Sequence, residues 1–158
     1  MSDVEIPNFG ELLGEHLGAV PPEAYPYLLS QLERSAAARY RGWADEVGAH
    51  REGLLACAER EDLIADRVEA MFPPTEAHRA LVDSIAPAAR ATYYQAFEPY
   101  TPIEHMTIQA NAERQGANAW QNLKAAYPEH GEALDALSET EIASADYLDA
   151  LLCDLQNN

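Results

Sequence analysis

Four glutamates, Glu33, Glu61, Glu113 and Glu141, are the residues of this chain whose type and spacing could do chemistry. Each sits among small and apolar residues at helical spacing. The first set is Leu29, Glu33, Ala36, Tyr40, Trp43 and Val47, and the second is Leu54, Ala58, Glu61, Ala65, Val68 and Phe72. The third is Met106, Ala110, Glu113, Ala117 and Trp120, and the fourth is Leu134, Leu137, Glu141, Ala145, Leu148 and Leu152. Steps of three and four place each set on one helix face. A carboxylate on such a face leaves water, which is costly when it is ionised, and four facing one another repel as well. Either protons are taken up or cations balance the charge, and two divalent ions neutralise four carboxylates. An all-oxygen donor set suits Mn, Fe(II), Mg or Ca. The alternative is that some of these glutamates reach the edge of the fold or pair with Arg34, Arg39 or Arg114. Glu59, Glu139, Asp66 and Asp146 fall on a different face.

The elements that must position these residues are helices. Ala occurs 29 times and Leu 17 times, against 16 for Val, Ile and Thr together, and no stretch alternates as a strand would. Prolines and glycines mark the boundaries. Residues 1–20 read as an irregular leader with a turn or two of helix around Glu11–Leu17. Pro21-Pro22 opens a first helix that ends at Gly48, and a second runs to Pro73-Pro74. A crossover, 73–101, holds a shorter helical stretch interrupted at Pro87. Pro102 opens a third helix, which ends near Tyr127-Pro128, and a fourth runs from about Glu129 to Leu155.

The halves repeat. Residues 33–72 align without gaps on 113–152, with 12 of 40 positions identical. This composition would give about three by chance. Glu33 falls on Glu113 and Glu61 on Glu141, while Pro22 corresponds to Pro102. Each glutamate lies about 14 residues from its hairpin turn, hence at similar height along its helix. Two hairpins, 21–72 and 102–155, joined by a long crossover describe an all-α four-helix bundle of one domain, 21–158.

The chain here resembles the ferritin-like superfamily of di-metal carboxylate proteins, and within it rubrerythrin-type domains. The resemblance rests on Glu33, Arg39, Tyr40, Trp43 and Ala44 in LERSAAARYRGWA, on Glu61, Ile64 and Ala65 in EREDLIADRVEAMF, on Glu113, and on Glu141, Ser144 and Ala145. It covers residues 22–155. It implies a ferritin-like bundle whose two metal ions, iron or manganese, are held by Glu33, Glu61, Glu113 and Glu141. With iron it implies O2 or peroxide chemistry of the ferroxidase or peroxidase type, that is, an oxidoreductase. Two departures stand out. The family's E-x-x-H histidines are replaced by Ile64 and Ser144, and no CxxC tail follows. The competing reading is a metal-free bundle that serves as an interaction or scaffold protein.

Other features narrow the field. With 10 Lys+Arg against 27 Asp+Glu, the net charge of −17 argues against nucleic-acid and anionic-membrane partners. Cys57 and Cys153 make no disulfide framework, and neither a signal peptide nor an apolar run of membrane length is present, so a cytoplasmic location is expected. Oligomeric state is open, a homodimer being one option. His50 and His130 are each 11 residues from their glutamates, about 16 Å along a helix, too far to share one centre. Cys57 and Tyr40 read as packing residues. No separate catalytic residue is assigned.

Overall fold

A computed structural model describes residues 3–158. Among them are seven α-helices: α1 (Phe9–Leu12), α2 (Gly14–Leu17), α3 (Tyr25–Glu46), α4 (Arg51–Met71), α5 (Glu76–Gln95), α6 (Pro102–Leu123) and α7 (Gly131–Gln156). No strand occurs among the described residues, and none of these helices is long and apolar enough to cross a membrane. The all-α class expected from composition is therefore the observed one. The described residues divide into two compact units, residues 8–98 and residues 99–158 together with residues 3–7.

In the first unit α3 and α4 form a hairpin. Its connection is a 3-10 turn, Gly48–His50, so the second helix starts at Arg51 rather than directly after Gly48. The same device recurs in the second unit, where the 3-10 turn Pro128–His130 joins α6 to α7. The starts of α5 and α6 carry side-chain caps for their orphaned N–H groups. Thr101 and Glu104 form a reciprocal capping box ahead of Pro102. Thr75 Oγ1 accepts from the His78 amide at the start of α5.

Burial follows the 80-residue offset closely. Leu54, Cys57, Ala58, Glu61, Ile64, Ala65 and Val68 are the buried residues of α4. Adding 80 to each gives Leu134, Leu137, Ser138, Glu141, Ser144, Ala145 and Leu148, all buried on α7. The outer faces correspond too. Arg34 pairs with Asp66 at 2.7 Å and Glu69 at 3.2 Å, while Arg114 pairs with Asp149 and, at 3.9 Å, with Asp146. These partly exposed pairs are individually worth little. They do show that both arginines reach acids of the neighbouring helix's outer side.

The crossover differs from its sequence reading. Pro87 does not interrupt it: α5 is one helix of 20 residues with Pro87 inside. Val82, Ala89 and Tyr93 form its buried face, which packs toward α3. Pro87 and Asp83, whose carbonyl loses its helical donor to the proline, are both exposed. Water can therefore reach that carbonyl, and packing of the opposite face holds the helix together. The leader is docked on α5. Phe9 sits 5.7 Å from the Tyr93 ring and 6.4 Å from Phe97, and His16 Nε2 is 2.9 Å from Thr92 Oγ1. Val20, Ala24, Tyr27, Leu28 and Val82 close a small core between leader, α3 and α5.

Two outcomes are expected from this packing. Pro87→Ala restores an intrahelical donor and should raise stability by about 1–2 kcal/mol; a urea midpoint at or below wild type would mean that α5 is not continuous. Burial raises the phenol pKa values of Tyr25, Tyr27 and Tyr94 above 10.0, with the Asp83 carboxylate adding to the effect at Tyr27. The unfolded chain then ionises first, so this contribution is complete below pH 10 and is lost as pH rises through the folded values. The urea midpoint should fall from about pH 10 upward, and a midpoint flat to pH 11 would contradict it.

Candidate metal centre

The first hairpin contributes Glu33 from α3 and Glu61 from α4. Glu61 is wholly buried, and its stripe neighbours Leu54, Ala58, Ala65 and Val68 are at most 1% exposed. Small side chains one turn either side leave room for a carboxyl group where a larger residue would fill the space. Glu33 is half-buried. One carboxylate oxygen of Glu33 lies within 4.8 Å of one of Glu61, a separation that a shared divalent cation could span with modest side-chain movement. Tyr40 and Trp43 continue the α3 stripe in an edge-to-face pair at 5.4 Å. Arg39 lies over the rings of Trp43, Tyr94 and Phe97, 4.4–5.2 Å from their centroids, so aromatic faces hold this guanidinium.

The second hairpin contributes Glu113 from α6 and Glu141 from α7, both at most 2% exposed. Each carboxylate has a buried side-chain donor. Gln109 Nε2 donates to Glu113 Oε1 at 2.8 Å along one turn of α6. Trp120 Nε1 donates to Glu141 Oε1 at 2.8 Å across the hairpin. Hydrogen bonds to the ionised form are among the stronger ones in proteins and hold a carboxylate in one orientation. Beside them Ser138 Oγ donates to the Ala117 carbonyl at 2.8 Å, tying α7 to α6.

Three of the four glutamates named from the sequence are thus buried on inward stripes, and Glu33 is partly so. Glu59 and Glu139 are exposed, on the different face assigned to them. Ile64 and Ser144, three residues after Glu61 and Glu141, are fully buried. Neither supplies an imidazole, so the donors in each hairpin are carboxylate oxygens. Such a set fits a hard divalent cation and not a soft one. His50 and His130 end the two 3-10 turns, at the hairpin ends as their spacing implied. Cys57 is buried and accepts from Arg60 at 3.1 Å.

Sequence reasoning placed Trp120 only as a member of the third apolar stripe and passed over Gln109 and Gly116. A signal existed for each. Gln109 precedes Glu113 by four residues, the spacing at which helical side chains meet. Gly116 is a glycine inside a helix, where it is disfavoured by about 1 kcal/mol relative to Ala and needs a reason. No protein-family model, curated protein or solved structure matches the chain.

The Gln109–Glu113 pair can be tested by itself. Gln109→Leu removes the donor and leaves a buried acceptor, which should cost about 1–3 kcal/mol. Gln109→Leu with Glu113→Leu removes both partners and should recover most of that loss. Urea unfolding of the two variants measures it, and a double variant less stable than the single would refute the assigned bond.

Proposed function

We propose that this chain is a ferritin-like carboxylate protein that binds two divalent cations, iron or manganese. In this reading Glu33, Glu61, Glu113 and Glu141 are the ligands. The observation that carries it is the matched burial of Glu61 and Glu141, equivalent residues of an 80-residue repeat, each mid-helix on an apolar stripe. Buried carboxylates at equivalent positions are costly to keep without a countercharge. The stripes would exclude water from the centre, and the strongly acidic exterior would raise the local concentration of cations. Bound iron would supply oxidation by O2 or peroxide, the chemistry of ferroxidases and peroxidases. A cytoplasmic location goes with this reading.

One observation favours a second reading. Ile64 and Ser144 occupy both imidazole positions, and the second hairpin's carboxylates already have protein donors. On that reading the bundle is metal-free and acts as an interaction or scaffold protein.

Metal analysis separates the two. Protein purified without chelator should carry about two divalent ions per chain, and Mn(II) should bind the metal-free form and raise its thermal midpoint. Glu61→Ala should weaken Mn(II) binding by about tenfold or more, each lost charged ligand being worth at least 1.4 kcal/mol. Glu59→Ala, two residues away on the exposed face, should leave it unchanged. Absence of metal together with no thermal shift would select the scaffold reading.

A further inference from the structure

The glycine inside α6 has a specific neighbour. A Cβ built on Gly116 would stand 2.8 Å from Glu141 Oε1 and 3.1 Å from Glu141 Cδ. The first of these is closer than real Cβ atoms come to other heavy atoms. The carboxyl group of α7 therefore rests directly against the α6 backbone, in a notch that any side chain at position 116 would fill. The same oxygen accepts the Trp120 indole N–H at 2.8 Å. Gly116 and Trp120 are four residues apart, so they lie on one face of α6 and meet the carboxylate from adjacent turns. Glu113 is on that face too, one turn before Gly116. The indole is a donor only, so it favours an ionised acceptor.

The first hairpin has different residues at the equivalent places. Ala36 corresponds to Gly116 and Tyr40 to Trp120. Ala36 carries the Cβ that the notch lacks, and a phenol hydroxyl can accept as well as donate. The glycine–indole combination belongs to the second hairpin.

We propose that Gly116 and Trp120 are positioning residues that seat Glu141 as the pre-oriented ligand of the divalent-cation centre. This rests on the metal-binding reading above. The notch sets where the carboxylate lies, and the indole sets which way it turns. A ligand held before the cation arrives loses less freedom on binding, so disturbing the seat should weaken affinity without removing any ligand.

The test uses the full chain labelled with 15N, and Mn(II) as the probe. The two tryptophans give two indole N–H signals, and Trp120→Phe identifies one by its loss. In metal-free protein, Gly116→Ala should move the Trp120 signal toward that of an unbonded indole. Calorimetric titration of Gly116→Ala and of Trp120→Phe should show Mn(II) bound about tenfold or more weakly in each. The double variant should bind little worse than the weaker single, because both act through one carboxylate. Ser138→Ala, which removes a buried bond between the same two helices, should lower the thermal midpoint yet keep both the indole signal and Mn(II) affinity. An unmoved indole signal in Gly116→Ala, or Mn(II) affinities like that of Ser138→Ala, would overturn the assignment, as would fully additive losses. If wild type binds no Mn(II), the metal reading fails together with the role assigned to the seat, and the indole signal then shows whether the seat itself exists.

Discussion

The constraint on which each hairpin depends is a carboxylate placed mid-helix on an apolar face. A helix can satisfy its own backbone there, but that backbone can do nothing for a buried carboxylate. The surroundings must therefore supply space and hydrogen-bond donors. Space comes from small residues: Ala58 and Ala65 flank Glu61, Ala110 and Ala117 flank Glu113, and Gly116 opens α6 to Glu141. Donors come from Gln109 and Trp120 in the second hairpin. That requirement keeps bulky aliphatic residues few on the α3 and α6 stripes. It also explains why the helices need long interfaces, since each Ala buries little apolar area.

Length and outer-face chemistry make up the difference. The four hairpin helices have 21 to 26 residues each, and their ends are anchored by larger groups such as Leu28, Leu54, Trp43, Met106, Leu134 and Leu151. Arg34 and Arg114 each bridge to acids on the adjoining helix, and Arg41 pairs with Asp62 in the same manner. With 27 acidic residues against only 10 basic ones, these few cations lie against clustered acids of the adjoining helix. Self-repulsion is relieved there, while the remaining surface stays strongly negative.

The crossover and leader follow a different principle. Helix α5 is kept continuous through Pro87 by aromatic and aliphatic packing on its inner side, with Tyr93 and Phe97 at its C-terminal end. Phe9 and His16 fasten the leader to that helix. The Arg39 guanidinium lies over rings from both α3 and the end of the crossover. In this region ordinary core packing and cation–π contacts set the structure.

Helix content, the hairpin turns, the inward stripes and the 80-residue correspondence were legible in the sequence because they are periodic. Spacing of three and four fixes a helix face whatever lies opposite, which is why Glu61, Glu113 and Glu141 were placed inside and Glu59 and Glu139 outside. Prolines and glycines marked most ends because they act on the backbone locally. Local rules failed where a distant surface decided the outcome. Pro87 forecasts a break, yet packing of Val82, Ala89 and Tyr93 overrides it. Leader residues such as Phe9 carry no period and became structural only by meeting α5. The Gly116–Trp120 seat depends on two helices approaching at one height, so no pattern within α6 could name Glu141 as its occupant. Periodicity along one helix determined which way each carboxylate points and brought Gln109 to Glu113; for Glu141 the approach of a second helix decided what receives it.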